Sequence, residues 1–115
     1  MSLRTYLFFN GNCAEAFDFY RSVFGGDSIM RSTFTDAPPD MNVMDTDKDK
    51  MMHVSLAIGD SVLMGSDMAE GFGQAAQPGS NFAISYSPKT KAEADRVFPE
   101  LTGGGEVTMP LQETF

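Results

Sequence analysis

The sequence predicts an α+β fold, with two amphipathic helices that each lie between segments of β-strand character. Apolar side chains recur at helical spacing in residues 12–26 and again in residues 90–105. The order strand, helix, glycine-rich turn, strand therefore occurs twice within 115 residues. A chain of this length suits a single domain, and the repeated order indicates two related modules, at about 1–68 and 80–115.

The first module begins with a strand and a helix. The segment RTYLFFN is rich in the aromatic and β-branched residues that strands prefer. In NCAEAFDFYRSVFGG, Asn12 can cap the first helical turn and Glu15 has the spacing of a capping box. Gly25 supplies a left-handed exit. We therefore expect a helix that starts after Asn12 and ends before Gly25.

Cys13 lies in the first turn of this helix, on its apolar stripe. A helix N-terminus favours a thiolate, whereas an apolar stripe favours burial. We expect burial, because an unpaired cysteine in such a position behaves as a small apolar side chain. As the single cysteine of the chain, it also excludes an internal disulfide and any zinc site built from several cysteines.

A strand, DSIMRSTFT, follows the helix, and MMHVSLAIGDSVLMGSD then predicts a β-hairpin with Gly59-Asp60 as its turn. This turn pairs Leu56 with Leu63 and Val54 with Gly65. One face of the hairpin is then apolar and suited to helix packing: Met52, Val54, Leu56, Ile58 and Leu63. The opposite face mixes polar and apolar groups, as a ligand cavity would: His53, Ser55, Val62, Met64 and Ser66.

Two segments rich in proline, glycine and charge, DAPPDMNVMDTDKDK and MAEGFGQAAQPG, are predicted surface loops. Asp45, Asp47 and Asp49 imitate the start of a calcium loop. That motif requires glycine at its sixth position and glutamate at its twelfth, where this chain has Lys50 and Leu56. We therefore interpret these aspartates as a solvated loop.

The second module is predicted to contain the strand NFAISYS, the helix TKAEADRVFPELTGGG and the strand GEVTMPL. Thr90 and Glu93 have the spacing of a capping box. Pro99 removes one backbone amide and crowds the preceding turn, so we expect a kink or an early end near Phe98. The closing residues, MPLQETF, keep the alternation of a half-buried strand.

The charge and the hydropathy of the chain exclude several classes of partner. Sixteen acidic residues against eight basic ones give a formal net charge of −8, which repels nucleic acids and anionic membrane surfaces. No apolar run has the length of a membrane span, and the N-terminus lacks the pattern of a signal peptide. We expect a cytoplasmic protein that binds neither nucleic acid nor membrane.

Three segments, YLFFNGNCAEAFDFYRSVFGG, HVSLAIGDSVLMGSD and MPLQETF, resemble the PhnB-like branch of the vicinal oxygen chelate (glyoxalase/bleomycin resistance/dioxygenase) superfamily. The similarity covers nearly the whole chain. It implies paired βαβββ modules that form a curved, partly open sheet around a small-molecule cavity, and it implies a homodimer. Two further strands follow the QETF block in such relatives, so the resemblance implies that the second module is incomplete in this chain.

The resemblance also implies where a metal would bind, since metal-dependent members of the superfamily use histidine and glutamate on their strands. The first three of the four corresponding positions in this chain are Thr5, Met64 and either Asn81 or Phe82, and the resemblance puts the fourth beyond Phe115. Threonine and methionine are poor ligands for magnesium or zinc. We therefore predict no metal site and no firm cofactor, although a divalent metal remains an alternative.

The candidate site residues come from the hairpin and from the closing block. His53 is the candidate catalytic residue on the polar hairpin face, because an imidazole can exchange a proton near neutral pH. The resemblance adds Glu113 as a catalytic candidate. The predicted ligand-binding residues are Ser55, Met64, Ser66, Asp67 and Gln112. Gln112 and Glu113 alternate along the chain, so only one of them can face the cavity.

Three functions are compatible with these residues. The first is a PhnB-like protein that binds a small organic molecule, with its reaction unspecified. The second is a metal-dependent lyase or dioxygenase of the same superfamily, and the third is a sequestering resistance protein without chemistry. Similar proteins have been labelled as methyltransferases. A methyltransferase on a nucleotide-binding fold would require a glycine-rich strand-to-helix turn, followed by an acidic residue after the next strand. The sequence has neither feature.

Overall fold

A computed structural model describes residues 2–26, 28–69, 71 and 75–111. The chain forms two compact units, Met1–Pro78 and Gly79–Phe115, and each is described by itself. The first unit contains β1 (Thr5–Phe9), α1 (Cys13–Phe24), β2 (Ser28–Thr33), β3 (Met51–Ile58) and β4 (Ser61–Asp67). The second unit contains α2 (Lys91–Thr102). The predicted α+β class is confirmed, whereas the paired modules and the cavity stay predictions.

The four strands of the first unit form one mixed sheet in the order β1-β4-β3-β2. β4 pairs in parallel with β1 and antiparallel with β3, and β2 pairs antiparallel with β3. The parallel pair consists of β1 and β4, the first and last strands of the unit, and α1, β2 and β3 lie between them in the chain. As a result, β1 and β2 are the outer strands of this sheet.

The predicted hairpin register is confirmed. Leu56 lies opposite Leu63 and Val54 opposite Gly65, and Gly59 has the positive φ of 57° that the short turn requires. The buried core combines two α1 side chains with two β3 side chains: Cys13, Phe17, Val54 and Leu56. At the start of β3, where a bulge shifts the pairing with β2, Met51 packs against this core.

Gly65 allows α1 to approach the sheet closely. A Cβ atom at this position would lie 2.7 Å from Cε1 of Phe17 and 3.1 Å from the carbonyl oxygen of Leu7. Since real Cβ contacts are longer than this, only glycine lets the Phe17 ring rest on β4. Phe17 also makes edge-on ring contacts with Phe9 and Tyr20, at centroid distances of 6.0 and 5.6 Å.

The limits of α1 agree with the prediction, but its capping group does not. Gly25 is left-handed, with φ of 70°, and its amide donates to the carbonyl of Arg21. The predicted cap by Asn12 is wrong, because its side chain makes no capping hydrogen bond. The acceptor comes from β4 instead, since Asp67 Oδ1 accepts from the amide of Cys13 at 3.0 Å.

The segment between β2 and β3 contains three short 3₁₀ turns, at Phe34–Asp36, Pro39–Met41 and Asp45–Asp47. The interpretation of its aspartates as solvated is wrong for Asp47, which is fully buried. Its carboxylate accepts from Lys50 Nζ at 2.9 Å and from the amide of Gly71 at 3.2 Å. These bonds replace the water that a buried carboxylate loses, so Asp47 ties this loop to the segment after β4.

In the second unit, α2 begins as predicted. The Thr90 hydroxyl accepts from the amide of Glu93 at 3.1 Å, and Glu93 Oε2 accepts from the amide of Lys89 at 2.7 Å. The expected early end near Phe98 is wrong, since the helix continues through Pro99 to Thr102. Proline removes a single amide donor. The Pro99 carbonyl still accepts from the amide of Gly103 at 3.2 Å, so helical hydrogen bonding continues after the proline.

The two strands predicted on either side of α2 are wrong, because the described residues 79–111 contain no strand. Alternation alone does not make a strand, which also needs a neighbour to accept and donate backbone hydrogen bonds. Alternate apolar side chains of these segments are exposed instead: Phe82, Ile84, Val107, Met109 and Leu111.

Candidate ligand-binding face

The sheet has two faces with different chemistry, and α1 packs against one of them through β3 and β4. The cross-strand registers assign the other face, which we call the distal face, to alternate residues of all four strands. Its members are Tyr6 and Phe8 from β1, Met30 and Ser32 from β2, His53, Ser55 and Ala57 from β3, and Val62, Met64 and Ser66 from β4. Four of the predicted site residues, His53, Ser55, Met64 and Ser66, therefore lie on one face.

Tyr6 and His53 form a polar pair on the distal face. The Tyr6 hydroxyl lies 3.3 Å from His53 Nδ1, and the two rings are 5.8 Å apart. The Phe8 ring lies 5.2 Å from that of Tyr6. Phe8 is 57% exposed and Tyr6 is 38% exposed, so the pair sits beside an accessible aromatic surface.

Sequence reasoning did not select Tyr6 or Phe8 as site residues. The alternation in RTYLFFN indicates that Tyr6 and Phe8 share a face. It does not reveal which face, because that depends on the parallel pairing of β1 with β4. This long-range pairing places Tyr6 beside Met64 and Phe8 beside Ser66.

The remaining predicted residues of the distal face form a row across the sheet. Met64 lies between Tyr6 on β1 and Ser55 on β3, and Ser55 in turn lies opposite Met30 on β2. Met30 is 69% exposed, whereas Ser66 is almost fully buried. The row therefore places the thioethers of Met64 and Met30 and the hydroxyl of Ser55 next to the ring of Tyr6.

Asp67 is not brought together with this set, because it follows the alternate register and pairs with Phe9. Its Oδ1 accepts from the amides of Gly11 and Cys13 at 2.9 and 3.0 Å, and its Oδ2 accepts from the amide of Met51 at 2.9 Å. The carboxylate thus fixes the start of α1 against the start of β3. A ligand contact by Asp67 stays a prediction, as do the roles of Gln112 and Glu113, which lie outside the described residues.

Two of the positions that correspond to the superfamily's metal ligands, Thr5 and Met64, lie apart on the sheet. Thr5 pairs with Leu63, whereas Met64 pairs with Tyr6, so Thr5 and Met64 lie on opposite faces. Neither side chain is a good ligand for a hard divalent ion. Within the described part of the chain, no three histidine, cysteine, aspartate or glutamate side chains cluster as a metal centre would need. The residues present do not fit the superfamily's metal centre.

Cys13 has the environment of a packed side chain, as the apolar stripe predicts. It is fully buried in the core. Burial, and next the charge of Asp67, raise the pKa of its thiol to about 12, against an opposing effect of Arg31. The helix N-terminus does not lower the pKa of the thiol in compensation, because the amides there already donate to the Asp67 carboxylate.

We expect the Cys13 thiol to resist alkylation by iodoacetamide at pH 8 in the native protein and to react at once in urea.

The stability of the protein should also depend on the titration of Cys13. Because the folded pKa of about 12 lies above the ordinary value of 9.0, the native state retains the thiol proton to higher pH than the unfolded state. The thiol's contribution to stability is therefore complete below pH 9 and declines as the pH rises towards 12. Denaturant titrations of the wild type and Cys13→Ala across this range measure it, and an identical pH dependence in both contradicts it.

Neither α1 nor α2, the helices of the described residues, combines the length and apolar character that crossing a bilayer demands.

Three comparisons with known proteins agree on the relationship of this chain. A family model described as 3-demethylubiquinone-9 3-methyltransferase matches residues 1–113. Protein YjdN of Escherichia coli (strain K12) is 29% identical over 126 residues, with 100% of this chain and 82% of YjdN covered.

Among solved structures, protein PA1353 from Pseudomonas aeruginosa superposes with a TM-score of 0.81 at 39% identity, covering 99% of this chain and 81% of that one. A PhnB protein from Bacillus cereus superposes with a TM-score of 0.59 at 22% identity, covering 96% and 80%. The second likeness concerns the fold alone. The family match over residues 1–113 identifies the chain as a member of the PhnB-like family described as 3-demethylubiquinone-9 3-methyltransferase, within the glyoxalase/bleomycin resistance superfamily.

Proposed function

We propose that the protein binds a small organic molecule on the distal face of its sheet, with His53 as the polar centre of the site. The observation that carries this proposal is the Tyr6–His53 contact of 3.3 Å beside the exposed ring of Phe8. Binding sites for small molecules combine apolar and aromatic walls with a few placed polar groups. Ser55 and Met64 extend that combination along the next two strands.

His53 would orient the ligand, and it is the side chain of this face best suited to move a proton. Its Nδ1 is engaged by Tyr6, which fixes the ring and leaves Nε2 to meet a ligand. Glu113 as a catalytic group and Gln112 as a ligand contact stay proposals that rest on the family resemblance, and strand alternation would let only one of them face the ligand. Whether the bound molecule is turned over distinguishes an enzyme from a sequestering protein.

The proposal is tested by native mass spectrometry of protein purified without dialysis. A retained compound should be depleted in Phe8→Ala and in His53→Ala. Phe19→Ala is the matched control, because Phe19 is a phenylalanine of comparable exposure, at 40%, that lies on α1 away from the distal face. Equal retention by all three variants would contradict a site on the distal face. Incubation of the retained compound with fresh protein then separates turnover from sequestration.

The alternative of a metal-dependent lyase or dioxygenase makes a different prediction. We expect less than one equivalent of transition metal per chain, because Thr5 and Met64 are poor ligands and lie on opposite faces. Elemental analysis of protein prepared without chelator measures it. Near one equivalent of zinc, nickel, iron or manganese, lost in His53→Ala, would favour the alternative.

We do not extend the methyl transfer in the family description to this chain. Nucleotide-dependent methyl transfer on a doubly wound fold requires a parallel sheet with a glycine-rich turn at its phosphate site. The described sheet is mixed, with two of its three pairings antiparallel. Binding is the activity that the distal face supports.

We also propose that the protein is a homodimer. The outer strands β1 and β2 each present one edge without a strand partner within the described residues, and soluble proteins commonly cover such edges. Sedimentation at micromolar concentration should give twice the chain mass of 12.5 kDa. A single species at the chain mass would contradict the dimer.

A further inference from the structure

We infer that the ligand of the distal face is an uncharged planar molecule whose carbonyl or hydroxyl oxygen meets His53, rather than a carboxylate, phosphate or phosphonate. This inference rests on the proposed function and narrows it to one chemical class. It follows from three properties of the same face: its charge, its exposed surface and its hydrogen-bonding group.

The first property is the absence of fixed charge among the described side chains of the distal face. Every position assigned to it is apolar, aromatic or hydroxylated apart from His53. The basic residue within these strands, Arg31, belongs to the face that α1 covers, where it pairs with Asp18 at 2.8 Å. An anion that leaves water needs a cation or several strong donors to compensate it, and the net charge of −8 adds repulsion.

Other basic side chains are engaged far from the distal positions. Lys48 pairs with Asp45 and Lys50 with the buried Asp47, each at 2.9 Å. Arg4 is the basic residue next to β1, one position before its start, and it is exposed. Arg4 is therefore our candidate cation for an anion-binding version of this site, which makes that residue a diagnostic control.

The second property is an exposed aromatic and thioether surface that a planar ring can contact. The Tyr6 and Phe8 rings lie 5.2 Å apart and are tilted by 40°. The Met30 side chain, 69% exposed, lies on the same face. Aromatic faces and thioethers gain most from contact with another planar apolar group. A linear or strongly hydrated ligand would leave this surface in water.

The third property is the direction of the hydrogen bond at His53. The Tyr6 hydroxyl lies 3.3 Å from Nδ1, and in the arrangement we infer, the hydroxyl donates to this ring nitrogen. The ring proton then resides on Nε2, and His53 offers the ligand a donor. The matching group on an uncharged ligand is a carbonyl, ether or hydroxyl oxygen.

Three probes that share a phenyl ring test the inference: acetophenone, benzoate and phenylphosphonate. Each is titrated into protein labelled at its methionine methyl groups, with Met30 and Met64 as reporters of the distal face and Met51 as reporter of the core. Acetophenone should shift Met30 and Met64, and the two anions should bind at least about tenfold more weakly, because the face offers no cation to replace their hydration. Tyr6→Phe no longer holds the ring proton of His53 on Nε2 and should weaken acetophenone by about two- to tenfold, at most the effect of the one hydrogen bond that His53 donates, while leaving benzene unchanged.

The outcomes separate the two claims. If benzoate or phenylphosphonate shifts Met30 and Met64 with an affinity equal to or above that of acetophenone, the inference on ligand class is wrong and the proposed site stands. If Arg4→Gln removes that anion binding, Arg4 is identified as the cation responsible. If no probe shifts Met30 or Met64 at millimolar concentration, the distal face does not bind planar molecules, and both claims fall.

Discussion

Replacing Asp67 by alanine should be among the most destabilising single changes in the first unit, with a loss on the order of 4 kcal/mol in the free energy of unfolding. One nearly buried carboxylate, 4% exposed, serves three backbone amides, those of Gly11, Cys13 and Met51. Each donor left without an acceptor away from water costs about 1–3 kcal/mol. Urea titration followed by circular dichroism measures the loss.

Two variants control this prediction. Asp67→Asn retains one carbonyl acceptor and should lie between the wild type and Asp67→Ala. Asp18→Ala removes a carboxylate of α1 that pairs with Arg31 of β2. The Asp18 side chain is 64% exposed. Such a pair contributes about 0–1 kcal/mol. Equal effects of Asp67→Ala and Asp18→Ala would refute the structural role assigned to Asp67.

Leu56→Ala should cost about 2–5 kcal/mol, whereas His53→Ala should cost less and act on ligand retention. Leu56 is fully buried in the cluster beneath α1, so its truncation leaves a cavity against Phe17. His53, three residues earlier, lies on the opposite face of the same strand. Chemical denaturation of the two variants compares them directly.

The matched control for the leucine is Leu101→Ala, at a position in α2 that is 36% exposed. Its truncation removes less buried surface and should change the free energy of unfolding by less than about 1 kcal/mol. A larger loss for His53→Ala than for Leu56→Ala would mean that the two faces have been interchanged.

The hairpin and α1 could be predicted from sequence because their signals are local. Gly59-Asp60 fixes a two-residue turn, and strand alternation then determines which side chains of β3 and β4 share a face. Four of the seven candidate site residues follow from that register alone. The end of α1 was likewise predicted by Gly25, whose left-handed backbone terminates the helix, although Asn12 does not cap its start.

The features that sequence reasoning missed depend on contacts between distant residues. The sequence predicts Asp67 as a ligand contact, and only the parallel pairing of β1 with β4 brings it to the amides of Gly11 and Cys13. The same pairing brings Tyr6 to His53. The segments around α2 failed for the opposite reason, since their alternation was clear but no pairing partner lies among the described residues.

The central claim, that the distal face is the ligand site, is tested most directly by intermolecular nuclear Overhauser effects from the compound that copurifies with the protein. They should connect the bound compound to the rings of Tyr6 and Phe8 and to the methyl group of Met64. Contacts to Phe17 or Leu56, on the face that α1 covers, with none to Tyr6 or Met64, would contradict the claim.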